Sequence, residues 1–242
     1  MSEVLVLRLA GPLQSWGSSS RFTRRSTEAF PTKSGIVGLL AAAQGRRRTD
    51  PIEDLAQLRM AVRIDQPGEL LRDFHTAHRG KTAMPLSDRF YWSDAVFAAF
   101  VEGPDGLIDA LANAIRRPAF PLYLGRRACP PALPLFLAVE SDPIWEVVRS
   151  TGWLASGFHR KRQRAKREVQ VRVVADAGIV PGADESTPGR TLQDVPVSFD
   201  SERRLYTFRQ VEEASVPLQN PEYDESAHGS ALTGGHDPME VL

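Results

Sequence analysis

The 242-residue sequence predicts an α+β fold, and three observations carry that prediction. Apolar runs of strand length, rich in Leu and β-branched residues, recur at 4–9, 58–65, 91–101 and 133–139. Two helical patterns, at 36–43 and 107–115, fall between them. The resulting order of strand, helix, strand, strand, helix, strand is that of the ferredoxin-like split βαβ, with a polar insertion between the middle strands.

Each element has a local cause. Gly11-Pro12 ends the first strand, and the polar stretch 13–30, with Ser18, Ser19 and Ser20, reads as a loop. Thr32 or Ser34 can cap the first helix and Gly45 can stop it. Gly38 inside that helix costs about 1 kcal/mol relative to Ala, so it is either kept for close packing against a sheet or simply tolerated. The second strand, 58–65, turns at 66–69, and 70–75 is expected to pair back on it. Pro104-Asp105-Gly106 opens an amphipathic helix whose apolar face is Leu107, Ile108, Leu111, Ala112 and Ile115, and Pro118 closes it. Residues 1–140 are therefore expected to form one domain, with an insertion near 76–92.

After residue 140 the character changes. Asp142-Pro143 opens a short helix, 169–174 alternates as a strand, and 195–199 and 205–208 suit a hairpin. This predicts a smaller, β-rich C-terminal domain over 141–216. The polar stretch 217–242, with Gly234-Gly235, is expected to be a disordered tail.

Bulk composition narrows the function only slightly. Thirty basic and thirty acidic residues give zero formal net charge, so the total does not signal a nucleic-acid binder. The distribution is uneven, with basic clusters at 46–48, 126–127 and 160–167. One cysteine, Cys129, excludes an internal disulfide and a thiolate metal cage. No apolar run approaches the roughly 20 residues of a membrane span, and MSEVLVLRLAG lacks the features of a secretion signal, so the expected location is the cytoplasm.

Several motifs could carry chemistry. Lys33, Ser34 and Gly35 at a helix start offer backbone N–H groups and a positive charge, a phosphate seat if Lys33 is not simply pointing into water. In Gln14-Ser15-Trp16-Gly17, Trp16 offers a face for an unstacked base and Gln14 a base-edge reader; the alternative is Trp16 plugging the core. Gly125-Arg126-Arg127 suits phosphate forks or stacking, or else is a solvated basic turn. Arg24, Arg79 and Lys81 are further candidate phosphate contacts, and Arg160, Lys161, Arg162 and Arg164 a secondary nucleic-acid contact, or else a solvated face. His75 and His78 lack the carboxylate-rich company of a metal site, so no metal and no cofactor is expected.

Four motifs together resemble the CasD family, a branch of the RAMP superfamily of CRISPR-associated proteins: LRLAGPLQSWG at 7–17, FPTKSGIVGLL at 30–40, LRDFHTAH at 71–78 and YLGRRACPP at 123–131. A weaker match, DVPVSFDSERRLYTFR, lies at 194–209. The resemblance implies a ferredoxin-like, RRM-like domain carrying a β-hairpin thumb, for which the insertion at 76–92 looks short. It implies a non-catalytic subunit of the antiviral type I-E Cascade complex that binds the 5′ handle of crRNA. The partners it implies are the CasC backbone subunits and the large CasA subunit, with CasB and CasE elsewhere in the complex and target DNA met indirectly. RNA-binding residues on this reading are Gln14, Ser15, Trp16, Arg24, Lys33, Ser34, Gly35, His75, Arg79, Lys81, Gly125, Arg126 and Arg127. A sister branch in type I-C systems cuts precursor RNA. The alternative is therefore a metal-independent endoribonuclease using His75 or His78 with Lys33 or Tyr123.

Overall fold

A computed structural model describes residues 2–17, 24–80, 82–182 and 189–228. In chain order its elements are β1 (Ser2–Ala10), β2 (Leu13–Gln14), β3 (Arg24–Arg25), α1 (Lys33–Ala43), α2 (Glu53–Ala56), β4 (Arg59–Gln66) and β5 (Glu69–His75). Then follow β6 (His78–Arg79), β7 (Thr82–Ala83), β8 (Ser87–Ser93), β9 (Val96–Pro104), α3 (Asp105–Arg116), β10 (Phe136–Glu140), α4 (Ile144–Ser150) and α5 (Gly157–Arg162). The last elements are β11 (Glu168–Asp176), β12 (Arg190–Ser198), β13 (Leu205–Gln219) and a 3-10 turn, Glu225–His228.

Seven strands form one antiparallel sheet in the order β10-β1-β9-β4-β11-β13-β12. The central strands are apolar on both faces because both faces are covered. In β1, Leu5, Leu7 and Leu9 join one core with α1 and α3, while Val4 and Val6 join a second core with α4 and Trp153. The same alternation runs along β9: Phe97, Ala99 and Val101 face α1 and α3, and Ala98 and Phe100 face α4. Strands from 141–216, expected to form a domain of their own, extend this same sheet. The β4 edge would otherwise be exposed, and Arg172 to Ala175 of β11 pair with it.

Two strand expectations are corrected. Segment 70–75 does not pair back on the second strand. Gly68, with φ +71°, turns the chain away, and β5 pairs with β8 because both edges of β4 are taken by β9 and β11. Segment 91–101 is two strands, broken at Asp94 (φ 53°), so β8 belongs to the small sheet and β9 to the large one. The β5–β8 pair runs from Glu69↔Ser93 to His75↔Ser87 as an exposed hairpin, and β6 and β7 pair near its tip. The expected loss of structure from 217 is also corrected for 217–228. Pro217 and Leu218 continue β13, and Asn220 is buried with its amide donating to the carbonyls of Arg160 and Gln163. No helix among the described residues is long and apolar enough to cross a membrane.

Candidate nucleic-acid interface

A cleft of about 800 Å³ lies over α1. Thr32 caps that helix, its hydroxyl accepting from the Gly35 N–H at 3.3 Å, so Ser34 and Gly35 form the first turn at the cleft floor. One wall is the loop after α1, with Arg46, Arg47 and Arg48; another is the loop with Phe120, Tyr123, Arg126 and Arg127. The β12–β13 turn closes the third side with Phe199, Arg204 and Tyr206. Among the described residues six arginines line the cleft and no carboxylate does, so its field favours an anion, while the aromatic walls offer faces to bases.

The floor is built by close approach. Ser15 donates its N–H to the Leu124 carbonyl at 3.1 Å, and Gly125, at φ +86°, lets that loop press on β2: a Cβ there would lie 1.8 Å from the Ser15 carbonyl oxygen. Gly35 is equally constrained, since a Cβ would come within 2.7 Å of the Trp16 ring. Both glycines thus serve packing of the floor.

Of the predicted contact residues, the structure brings Ser15, Trp16, Ser34, Gly35, Gly125, Arg126 and Arg127 to the cleft. It alters the roles of several. Trp16 is fully buried and donates its indole N–H to Gln14 at 3.2 Å, so the core-plug reading holds and its face is closed to a base. Gln14 is also buried, its amide donating to the carbonyls of Leu9 and Ala95 at 3.0 and 2.7 Å; with every polar atom engaged it reads nothing. The Ser15 hydroxyl donates to the Phe90 carbonyl at 2.9 Å.

Lys33 is the largest correction. Its ammonium pairs with Asp176 at 3.1 Å and is buried on the sheet side of α1, so it is no phosphate seat. Its backbone N–H donates to Asp194, and Arg209 bridges Asp194 and Asp176. Despite burial, which opposes its charge, Arg209 is held above the usual guanidinium range by Asp194 and Asp176. This buried network ties the start of α1 to β11, β12 and β13, and so fixes the floor against the third wall.

Arg126 stacks over the Tyr91 ring at 4.8 Å and donates to the Phe90 carbonyl, which ties its loop to the hairpin root. Arg46 is committed to Asp54 through two bonds of 2.6 and 2.5 Å. Exposed Arg47, Arg48, Arg127 and Arg204 are the cations best placed for a ligand. Sequence reasoning did not place Arg47, Arg48, Arg204, Phe199 or Tyr206 at the site; the signals that could have found them are the basic cluster at 46–48 and the weaker motif match at 194–209.

The remaining candidates lie elsewhere. Arg24 and Arg79 have backbone in β3 and β6, and Lys81 falls outside the described residues. His75 and His78 are exposed on the hairpin, His75 beside Asp73 at 2.7 Å, and neither lines the cleft. The ribonuclease alternative needs them near Lys33 or Tyr123; Lys33 is locked in its network and Tyr123 stands in the cleft wall. Among the described residues no His, Cys, Asp and Glu side chains gather in a group that could hold a metal. Burial raises the Cys129 thiol above its ordinary value, leaving it a packed thiol.

A family model described as CRISPR-associated protein (Cas_Cas5) matches residues 4–212. The chain belongs to the Cas5 family of CRISPR-associated proteins. A relative from Escherichia coli (strain K12), CRISPR system Cascade subunit CasD, is 36% identical over 167 residues, which is 59% of this chain and 75% of the relative. A solved structure described as a crystal structure of Cas protein aligns with a TM-score of 0.69 at 36% identity, covering 92% of this chain and 98% of its own. A chain from a CRISPR RNA-guided surveillance complex aligns with a TM-score of 0.71 at 33% identity, covering 89% and 91%.

Proposed function

We propose that this chain is a non-catalytic Cascade subunit that seats the 5′ handle of crRNA in the arginine-lined cleft. The observation that carries the reading is the cleft itself: among the described residues six arginines, no carboxylate and aromatic walls, in a Cas5-family chain similar to CasD and to a member of an RNA-guided surveillance complex. Phosphates would meet the exposed guanidiniums of Arg47, Arg48, Arg127 and Arg204, and unstacked bases the rings of Phe120, Tyr123 and Phe199. On this reading the order β10-β1-β9-β4 with α1 and α3 is the ferredoxin-like unit. The β5–β8 hairpin is the thumb, and its exposed Leu70, Leu71 and Phe74 suit contact with a CasC neighbour. CasA, CasB and CasE complete the cytoplasmic assembly.

Binding and cleavage of one labelled repeat RNA test this. The expected result is salt-sensitive binding with the RNA left whole on a denaturing gel. Alanine at Arg47, Arg48, Arg127 and Arg204 together should weaken binding by about a hundredfold or more at moderate salt. Specific cleavage abolished by alanine at His75 and His78 overturns the non-catalytic reading. Binding unchanged in the four-arginine variant removes the cleft from it.

A further inference from the structure

We propose that the basic segment 157–167, formed by α5 and the turn after it, is a second seat for single-stranded nucleic acid, separate from the cleft and indifferent to sequence. Trp153 and Ala155, just before α5, belong to the core on the α4 face of the sheet, opposite the face that carries α1. The segment therefore lies across the sheet from the arginine cleft, and none of its residues lines that cleft.

Its backbone is held at both ends. Ser156 caps α5 and donates its own N–H to Gln66 at 3.0 Å, beside the root of the hairpin. At the other end Asn220 donates to the carbonyls of Arg160 and Gln163, and the Asp224 N–H to that of Arg164. The side chains contrast with this fixed backbone. Lys161, Arg162, Arg164, Lys166 and Arg167 are exposed, and among the described residues no carboxylate forms an ion pair with any of them; Asp224 feels the Arg164 charge without such a pair. A run of like charge is unfavourable for a free surface and favourable against a polyanion, where each neutralised phosphate releases counterions.

Phe158 decides which polyanion. It is 74% exposed, and the Arg162 guanidinium lies 5.9 Å from its ring. A flat aromatic face amid cations offers an unstacked base a stacking partner while the cations track the backbone. A duplex keeps its bases stacked inside and gains nothing from that ring. A membrane surface would ask for a broad apolar face, and α5 carries only one large apolar side chain.

The test isolates this seat by starting from the full chain carrying Arg47→Ala, Arg48→Ala, Arg127→Ala and Arg204→Ala, so failure of the cleft reading does not affect it. Labelled 12-nucleotide deoxythymidine and uridine strands, a duplex of the same length and polyglutamate are titrated by anisotropy at several salt concentrations. Adding Lys161→Ala, Arg162→Ala, Arg164→Ala and Lys166→Ala should lower strand affinity about tenfold or more, and flatten the salt slope by about 0.7 for each phosphate no longer neutralised. Phe158→Ala should lower it about fivefold with the slope unchanged. A preference for either sugar supports the seat and identifies the strand it takes. No strand binding in the starting variant, no loss in the four-cation variant, no loss with Phe158→Ala, or equal or tighter binding of duplex or polyglutamate overturns the proposal.

Discussion

The two arginine-rich surfaces of this chain are built in different ways. The cleft draws its cations from 46–48, 126–127 and 204, three loops distant in sequence, and holds them over a floor closed by Gly35, Gly125 and a buried ion network. Segment 157–167 carries its cations in one run on a short helix and turn, and the buried Arg63–Asp65 pair holds the chain leading into it at Thr151, Gly152 and Leu154. The first surface is a product of tertiary packing and should fail when packing fails. The second is a product of local sequence and should survive backbone-neutral changes.

The sharpest way to break the contrast is Gly125→Ala. It places a methyl 1.8 Å from the Ser15 carbonyl oxygen at φ +86°, so at least about 3 kcal/mol of stability should disappear, together with RNA binding in the cleft. Urea unfolding and the repeat-RNA titration check both. Next is Arg209→Met, which leaves Asp194 and Asp176 with Lys33 and the Met60 N–H and should cost about 3 kcal/mol in the same unfolding assay. Gly157→Ala is the counterpart in α5. Its new Cβ would meet only the tip of Arg160 at 4.0 Å, and stability should stay equal or rise by about 0.5 kcal/mol.

The smallest effect is a pH dependence of α5. Burial, and then the Arg162 charge, hold His159 below its ordinary value of 6.5, where it packs edge-on against Trp153. The unfolded chain protonates first as pH falls, so this contribution to stability is full above about 6.5 and is lost as pH drops toward the folded value. Unfolding midpoints measured between about pH 7.5 and 5.5 should slope accordingly, and His159→Gln should flatten the slope.

Much of the fold was legible because it follows from local patterning. The strand and helix order through 140, the Thr32 cap and the β12–β13 pairing all appear in the structure. What misled was the reading of pairing partners. Segment 70–75 looks like the return strand of a hairpin with 58–65, yet both edges of β4 were already claimed by distant strands. Lys33 looked like a phosphate ligand because its carboxylate partners, Asp176 and Asp194, stand more than 140 residues away and no local signal links them. Conversely Phe199 and Tyr206 looked like residues of a hairpin's strands and Arg204 like part of its turn, and only the path of β12 over α1 carries them to the cleft.

By itself the sequence determined the element types, the α+β class, the family motifs and the basic run at 160–167, because periodicity, caps and charge clusters act over a few residues. The tertiary structure alone decided which arginines share a cleft, which glycines must stay glycine and which charges are spent inside the fold. Those outcomes depend on distances between residues far apart in the chain, and burial in a common low-dielectric interior, not neighbourhood in sequence, selects their partners.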